Sequence, residues 1–125
     1  MAIKSILVVE DDQEWQAYHK ANVEQYFHIE PIIVDNLKDA LALVKSQRFG
    51  LYITDGRYPL SKAEYDEYKH AWEEFTRRVR ELHPEAKIIL ITAGRDLEDI
   101  AQRLGVDYQL KGEIDWAGLA KKYLS

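Results

Sequence analysis

The chain has no cysteine. That absence removes disulfides, thiolate nucleophiles and cysteine-ligated zinc, and it accords with a reducing compartment. Proline is scarce at three and glycine at six, so no segment has the composition of a flexible or Pro-rich linker. No apolar run approaches the roughly 18 residues that span a bilayer. The opening Met1-Ala2-Ile3-Lys4 leads into an apolar segment without the pattern of a secretory signal. A cytoplasmic location with no membrane partner is therefore expected. Excess positive charge is missing as well, since the net charge is -5 and the basic cluster Arg77-Arg78-Arg80 is flanked by Glu73, Glu74 and Glu81. That cluster reads as the solvated face of a helix, and nucleic acid is not an expected partner.

What is present is globular in balance, 46% hydrophobic and 31% charged over 125 residues, which suits one domain covering 1-125 with no attached output domain. Five compact apolar or β-branched runs stand out: Ile6-Leu7-Val8-Val9, Ile32-Ile33-Val34, Leu51-Tyr52-Ile53-Thr54, Ile88-Ile89-Leu90-Ile91 and Tyr108-Gln109-Leu110. Helical spacing fills the intervals between them. Continuously apolar strands alternating with helices predict a doubly wound α/β fold around a five-stranded parallel sheet covered on both faces. Asn36 is placed to cap a helix carrying Leu37, Ala40, Leu41 and Val44. Ser61-Lys62-Ala63-Glu64 has the form of a capping box and predicts the start of the longest helix, about 20 residues long. Its apolar stripe would comprise Tyr65, Tyr68, Trp72, Phe75, Val79 and Leu82, ending at His83-Pro84. The stripe is expected to pack on the sheet.

Ligands of open parallel sheets bind beyond the carboxyl ends of the strands. The residues at those positions here are Glu10, Asp11 and Asp12, then Asp55, then Thr92, then Lys111. Loops are polar in general, and Lys111 read alone is a surface lysine, Thr92 a turn residue and Tyr108 a half-buried strand aromatic. As a set they point to chemistry. Carboxylates from two adjacent strand ends repel by about 4 kcal/mol at 4 Å and an effective dielectric of 20, so they need protons, solvent or a cation. A hard ion that takes oxygen ligands and keeps waters suits such a site, and Mg2+ is the expected cofactor. Asp12 sits at the margin and favours the first turn of the following helix through its dipole. The histidines at 19, 28, 70 and 83 show no H-x-x-x-H spacing and are expected to lie away from the strand ends, which disfavours a transition metal.

In this order and spacing the segments resemble the receiver domain of two-component response regulators, in particular stand-alone receivers of the chemotaxis-regulator type. The resemblance covers nearly the whole chain. It rests on the acidic pair after the first strand, the 44 positions from Asp11 to Asp55, Pro59 four residues beyond Asp55, Leu90-Ile91-Thr92-Ala93, and Tyr108 three residues before Lys111. It implies a flavodoxin-like (β/α)5 receiver fold. It also implies that Asp55 is the phosphoacceptor, that Glu10, Asp11, Asp55 and the backbone carbonyl of Arg57 hold Mg2+, and that Lys111 and Thr92 contact the phosphoryl oxygens. Tyr108 would be the switch residue. The implied partners are a histidine kinase or phosphotransfer protein and a downstream protein target. The chain would be no enzyme in the usual sense, catalysing only its own phosphorylation and dephosphorylation.

Three departures accompany the resemblance. Gly112 follows Lys111 where the family has proline, so a cis peptide there is not implied. The interval from Pro59 to Thr92 is long, while Thr92 to Lys111 is short and the last helix, Asp115 to Leu124, is abbreviated and contains Gly118. These changes favour an alternative, a pseudo-receiver that works as a phosphorylation-independent interaction module. A phosphatase or nucleotide-binding enzyme on a related fold lacks its motifs: there is no D-x-D after the first strand, no phosphate-binding G-x-x-x-x-G-K loop and no G-x-G-x-x-G turn. Arg57 is expected to reach over the acceptor, with Gly94 leaving space opposite.

Overall fold

The computed structural model describes residues 3–64 and 66–124. The elements alternate as β1 (Ile6–Val9), α1 (Gln13–Phe27), β2 (Ile32–Val34), α2 (Leu37–Ser46), β3 (Leu51–Thr54), α3 (Ala71–Leu82), β4 (Ile88–Thr92), α4 (Glu98–Arg103), β5 (Asp107–Leu110) and α5 (Trp116–Leu124). The strands form one parallel sheet in the order β2-β1-β3-β4-β5. This is the expected doubly wound α/β architecture. Strands β1, β3 and β4 are buried along their whole length, which is why they read as unbroken apolar runs.

Strand side chains alternate between the faces, and so the core divides in two. Leu7, Val9, Tyr52 and Leu90 meet Ala40, Val44, Trp72, Phe75, Val79 and Ala101 of α2, α3 and α4. Ile6, Val8, Ile53, Ile89 and Ile91 meet Val23 and Phe27 of α1 and Trp116 and Leu119 of α5. Each such aliphatic or aromatic side chain taken fully from water contributes about 1.5–3 kcal/mol. Asn36 caps α2 by accepting from the Asp39 N–H at 2.9 Å, and Asp12 caps α1 by accepting from Glu14 N at 2.9 Å and Trp15 N at 3.1 Å. Among the described residues no helix is long and apolar enough to cross a membrane.

The long helix expected from Ser61 does not form. Glu64 N donates to the Ser61 carbonyl in a turn, and α3 begins ten residues after Ser61, at Ala71. The reason lies in what the intervening backbone already bonds. Pro59 and Leu60 give their carbonyls to the free N–H groups of Leu37 and Lys38 at the start of α2, at 2.9 and 2.8 Å. Tyr58 pairs with Tyr68 as an isolated antiparallel bridge, and its fully buried ring anchors the loop in the core. Of the expected stripe, Trp72, Phe75 and Val79 are buried on α3, Tyr68 precedes the helix and Leu82 is exposed. Tyr65 lies outside the described residues, as do Met1 and Ala2.

Candidate functional site

The sheet order reverses direction at β1, whose two neighbours β2 and β3 are reached by connections on opposite sides, so a crevice opens beyond the ends of β1 and β3. The register fixes what faces it. Val9 pairs with Thr54, so Glu10 and Asp55 leave the sheet side by side, with Asp55 N donating to the Val9 carbonyl at 2.9 Å. Thr92 pairs with Leu110, and Lys111 N donates to the Thr92 carbonyl at 2.9 Å. Four separate strand ends thereby deliver their polar residues to one rim.

Glu10, Asp11 and Asp55 each offer a carboxylate oxygen within 4.8 Å of the others. The Lys111 ammonium lies 2.8 Å from Glu10 Oε1 and 3.2 Å from Asp55 Oδ2. Asp55 Oδ1 accepts from Gly56 N at 2.7 Å, so both oxygens of this carboxylate are held. A side chain at residue 56 would meet Leu97 Cδ1 at 2.7 Å and Thr92 Oγ1 at 3.0 Å, which explains glycine directly after the aspartate. Thr92 is nearly buried at the end of β4, its hydroxyl facing Gly56. Asp55, Arg57, Thr92, Gly94 and Lys111 line a cleft of about 390 Å³. The Arg57 side chain spans its mouth to reach Asp96 Oδ2 at 3.4 Å, and the Asp96 carboxylate takes up the space beside Gly94. Tyr108 donates its hydroxyl to the Gly94 carbonyl at 2.6 Å, tying β5 to the loop after Thr92. Gly112 has φ +88°, a left-handed turn that glycine adopts without strain, and no cis peptide occurs among the described residues.

The crowded charges shift one another. Burial pushes Glu10 up, but hydrogen bonds from His19 and Lys111 outweigh it and bring Glu10 down to about 2. Burial and the neighbouring Glu10 charge push Asp55 up to about 8, against the pull of Lys111. Burial and a hydrogen bond with Glu67 push Asp11 up to about 7. Burial would lower Lys111, yet Asp55 and Glu10 raise it, so it stays a cation. Two acids that hold protons near neutrality, a third ionised beside a lysine and an open cleft make a site short of positive charge. A divalent cation with oxygen ligands fits that donor set.

Residues outside the sequence-derived set also reach the site. His19, expected away from the strand ends, lies with its Nε2 3.2 Å from Glu10 Oε1, because α1 folds back over the end of β1. The signal was its position four residues after Trp15, on the same face of a helix that starts at the site. Trp15 places its ring face 4.9 Å from the Lys111 ammonium. Glu67 lines the cleft from the loop before α3, where no periodicity could have placed it. Tyr58, four residues after Thr54, meets the Thr54 hydroxyl at 3.0 Å. A larger groove of about 570 Å³ runs along α3, but it contains none of the strand-end residues. Its charges pair internally, Arg77 with Glu74 and Glu81, and Arg80 with the Leu104 and Gly105 carbonyls.

No protein-family model matches the chain, and no curated protein does. Solved structures do. The response regulator TrrA from Thermotoga maritima, in complex with Mg2+-BeF, is 25% identical with a TM-score of 0.75, covering 96% of each chain. The receiver domain of a sensor histidine kinase from Pseudomonas aeruginosa PAO1, with magnesium coordinated in its active site cleft, is 23% identical with a TM-score of 0.74, covering 98% of this chain and 95% of that one. A CheY-like receiver domain protein from Methanospirillum hungatei JF-1 is 22% identical with a TM-score of 0.74, covering 97% and 90%. With its β2-β1-β3-β4-β5 parallel sheet, the chain has the flavodoxin-like fold of the solved response-regulator receiver domains.

Proposed function

We propose that the chain is a two-component response regulator whose Asp55 accepts a phosphoryl group from a phosphohistidine on a histidine kinase or phosphotransfer protein. The observation that carries this reading is the convergence of Glu10, Asp11 and Asp55 within 4.8 Å, with Lys111 bridging Glu10 and Asp55 at 2.8 and 3.2 Å. Glu10, Asp11, Asp55 and the Arg57 backbone carbonyl would hold Mg2+, which when bound offsets charge on the acids and on the transferring phosphoryl group. Magnesium in the cleft of the Pseudomonas receiver domain supports the same ion here.

The chemistry is positioning and electrostatics. A carboxylate oxygen of Asp55 attacks phosphorus while the phosphorus–nitrogen bond of the donor breaks, leaving an acyl phosphate on Asp55 and the electron pair on the departing imidazole. Lys111 already sits at the acceptor oxygen and is placed to donate to a phosphoryl oxygen in the transition state. The Thr92 hydroxyl would take another. Tyr108, bonded to the Gly94 carbonyl just beyond Thr92, would carry that rearrangement to the surface around β4 and β5, where a protein target binds.

The test is intact-mass measurement after incubation with Mg2+ and a small acyl phosphate. One phosphoryl group should be gained, and none by Asp55→Asn or in excess chelator. No gain by the wild-type protein would overturn the proposal. That result would favour the second reading, a phosphorylation-independent interaction module, which one observation supports: Glu67 adds a negative group to the cleft that phosphate oxygens would enter.

A further inference from the structure

We infer that His19 is a positioning residue for the cation site, acting through Glu10; the inference rests on reading the acid cluster as a Mg2+ site. His19 is 1% exposed and Glu10 is 0% exposed. A carboxylate only accepts, so the 3.2 Å contact requires the proton on His19 Nε2, donated to Glu10 Oε1. The other ring nitrogen, Nδ1, is buried without a hydrogen-bond partner. Around the ring stand Trp15, Tyr18 and Trp116, with centroids at 5.8, 6.0 and 6.1 Å. An aliphatic side chain would fill such surroundings without stranding a nitrogen. The imidazole's one hydrogen-bond partner among the described residues is Glu10.

The division of labour on Glu10 shows what this bond does. Oε1 takes both His19 at 3.2 Å and Lys111 at 2.8 Å, which occupies its two lone pairs. Oε2 takes the Asp12 N–H at 3.3 Å, and the Asp55 side chain also meets this carboxylate. The carboxylate is therefore held by three donors, two of them side chains. Lys111 has a competing duty at Asp55, 3.2 Å away. When that ammonium turns to the acceptor, His19 remains as the side-chain donor fixing the Glu10 rotamer. Hydrogen bonds from a surrounding shell to a ligating carboxylate orient it, and their loss weakens metal binding by about tenfold or more.

The test follows amide chemical shifts around Asp55 during titration with MgCl2 for wild type, His19→Leu and His19→Gln, with urea unfolding of each. Glutamine keeps an N–H near the Nε2 position; leucine keeps only bulk. His19→Leu should bind Mg2+ about tenfold more weakly, whereas His19→Gln should follow the wild-type curve even if its stability has changed. If the leucine variant fails to fold, His19→Met replaces it. Equal affinity of the apolar variant and the wild type would overturn the inference, as would a glutamine variant as weak as the apolar one, because packing alone would then explain the site. A wild-type protein without saturable Mg2+ binding would instead remove the underlying reading of the acid cluster.

Discussion

Glu10, Asp11 and Asp55 carry the same functional group, yet their surroundings give them different charges. Glu10 is fully buried but has His19 and Lys111 as donors, so it stays ionised. Asp55 shares only one arm of Lys111 and faces the Glu10 charge, and Asp11 faces Glu67. Glu67 is thus the residue most at odds with a site meant to admit an anionic donor. Two unit charges 4 Å apart in water interact by about 1 kcal/mol, equivalent to about fivefold in rate. Glu67→Gln should therefore speed Asp55 phosphorylation by a small anionic phosphodonor by about fivefold at low salt, with the gain shrinking as salt screens the exposed charge. Initial rates of mass gain at two ionic strengths check this. A rate that stays level or falls would show that Glu67 assists the site.

At the scale of elements, β1, β3 and β4 were legible because burial on both faces leaves them apolar up to the threonines that end β3 and β4, and the acids were legible because the residue after such a strand must sit at the rim. The start of α3 was not. The Ser61–Glu64 pattern satisfies a local capping rule, but Tyr58, Pro59, Leu60 and Tyr68 bond to distant partners that no short-range pattern contains. His19 escaped notice for a similar reason, since its distance to Glu10 depends on how α1 packs on the sheet. Tyr58 shows the tertiary competition most directly. Thr54 Oγ1 donates to the Asp55 carbonyl at 2.8 Å, so its contact with Tyr58 at 3.0 Å has the tyrosine as donor. Tyr58→Phe should keep the ring in the core and cost about 1 kcal/mol of stability, read as a lower urea midpoint. An unchanged midpoint would mean that the ring alone anchors the loop.

For the whole molecule, the acid cluster couples folding to pH and to the cation. An aspartate in the unfolded chain ionises near about 3.9. In the folded protein Asp11 is raised to about 7 and Asp55 to about 8, mainly by burial. Between those limits the folded state holds protons that the unfolded state has released, so the stability they lend is present at low pH and is lost as pH rises through 7 and 8. Glu10 and Asp107 are lowered and act in the opposite sense, but only under acid conditions near and below the ordinary carboxylate range. In chelator, the urea midpoint should therefore fall between pH 5.5 and pH 8.5, on the order of the range just described. A cation that binds only the folded, deprotonated cluster adds stability by mass action, and it gains most where fewest protons must be displaced. Excess Mg2+ should accordingly raise the midpoint more at the alkaline end and flatten the pH profile. Parallel profiles with and without Mg2+ would mean that the carboxylates at the β1/β3 crevice do not share an ion, whatever their spacing.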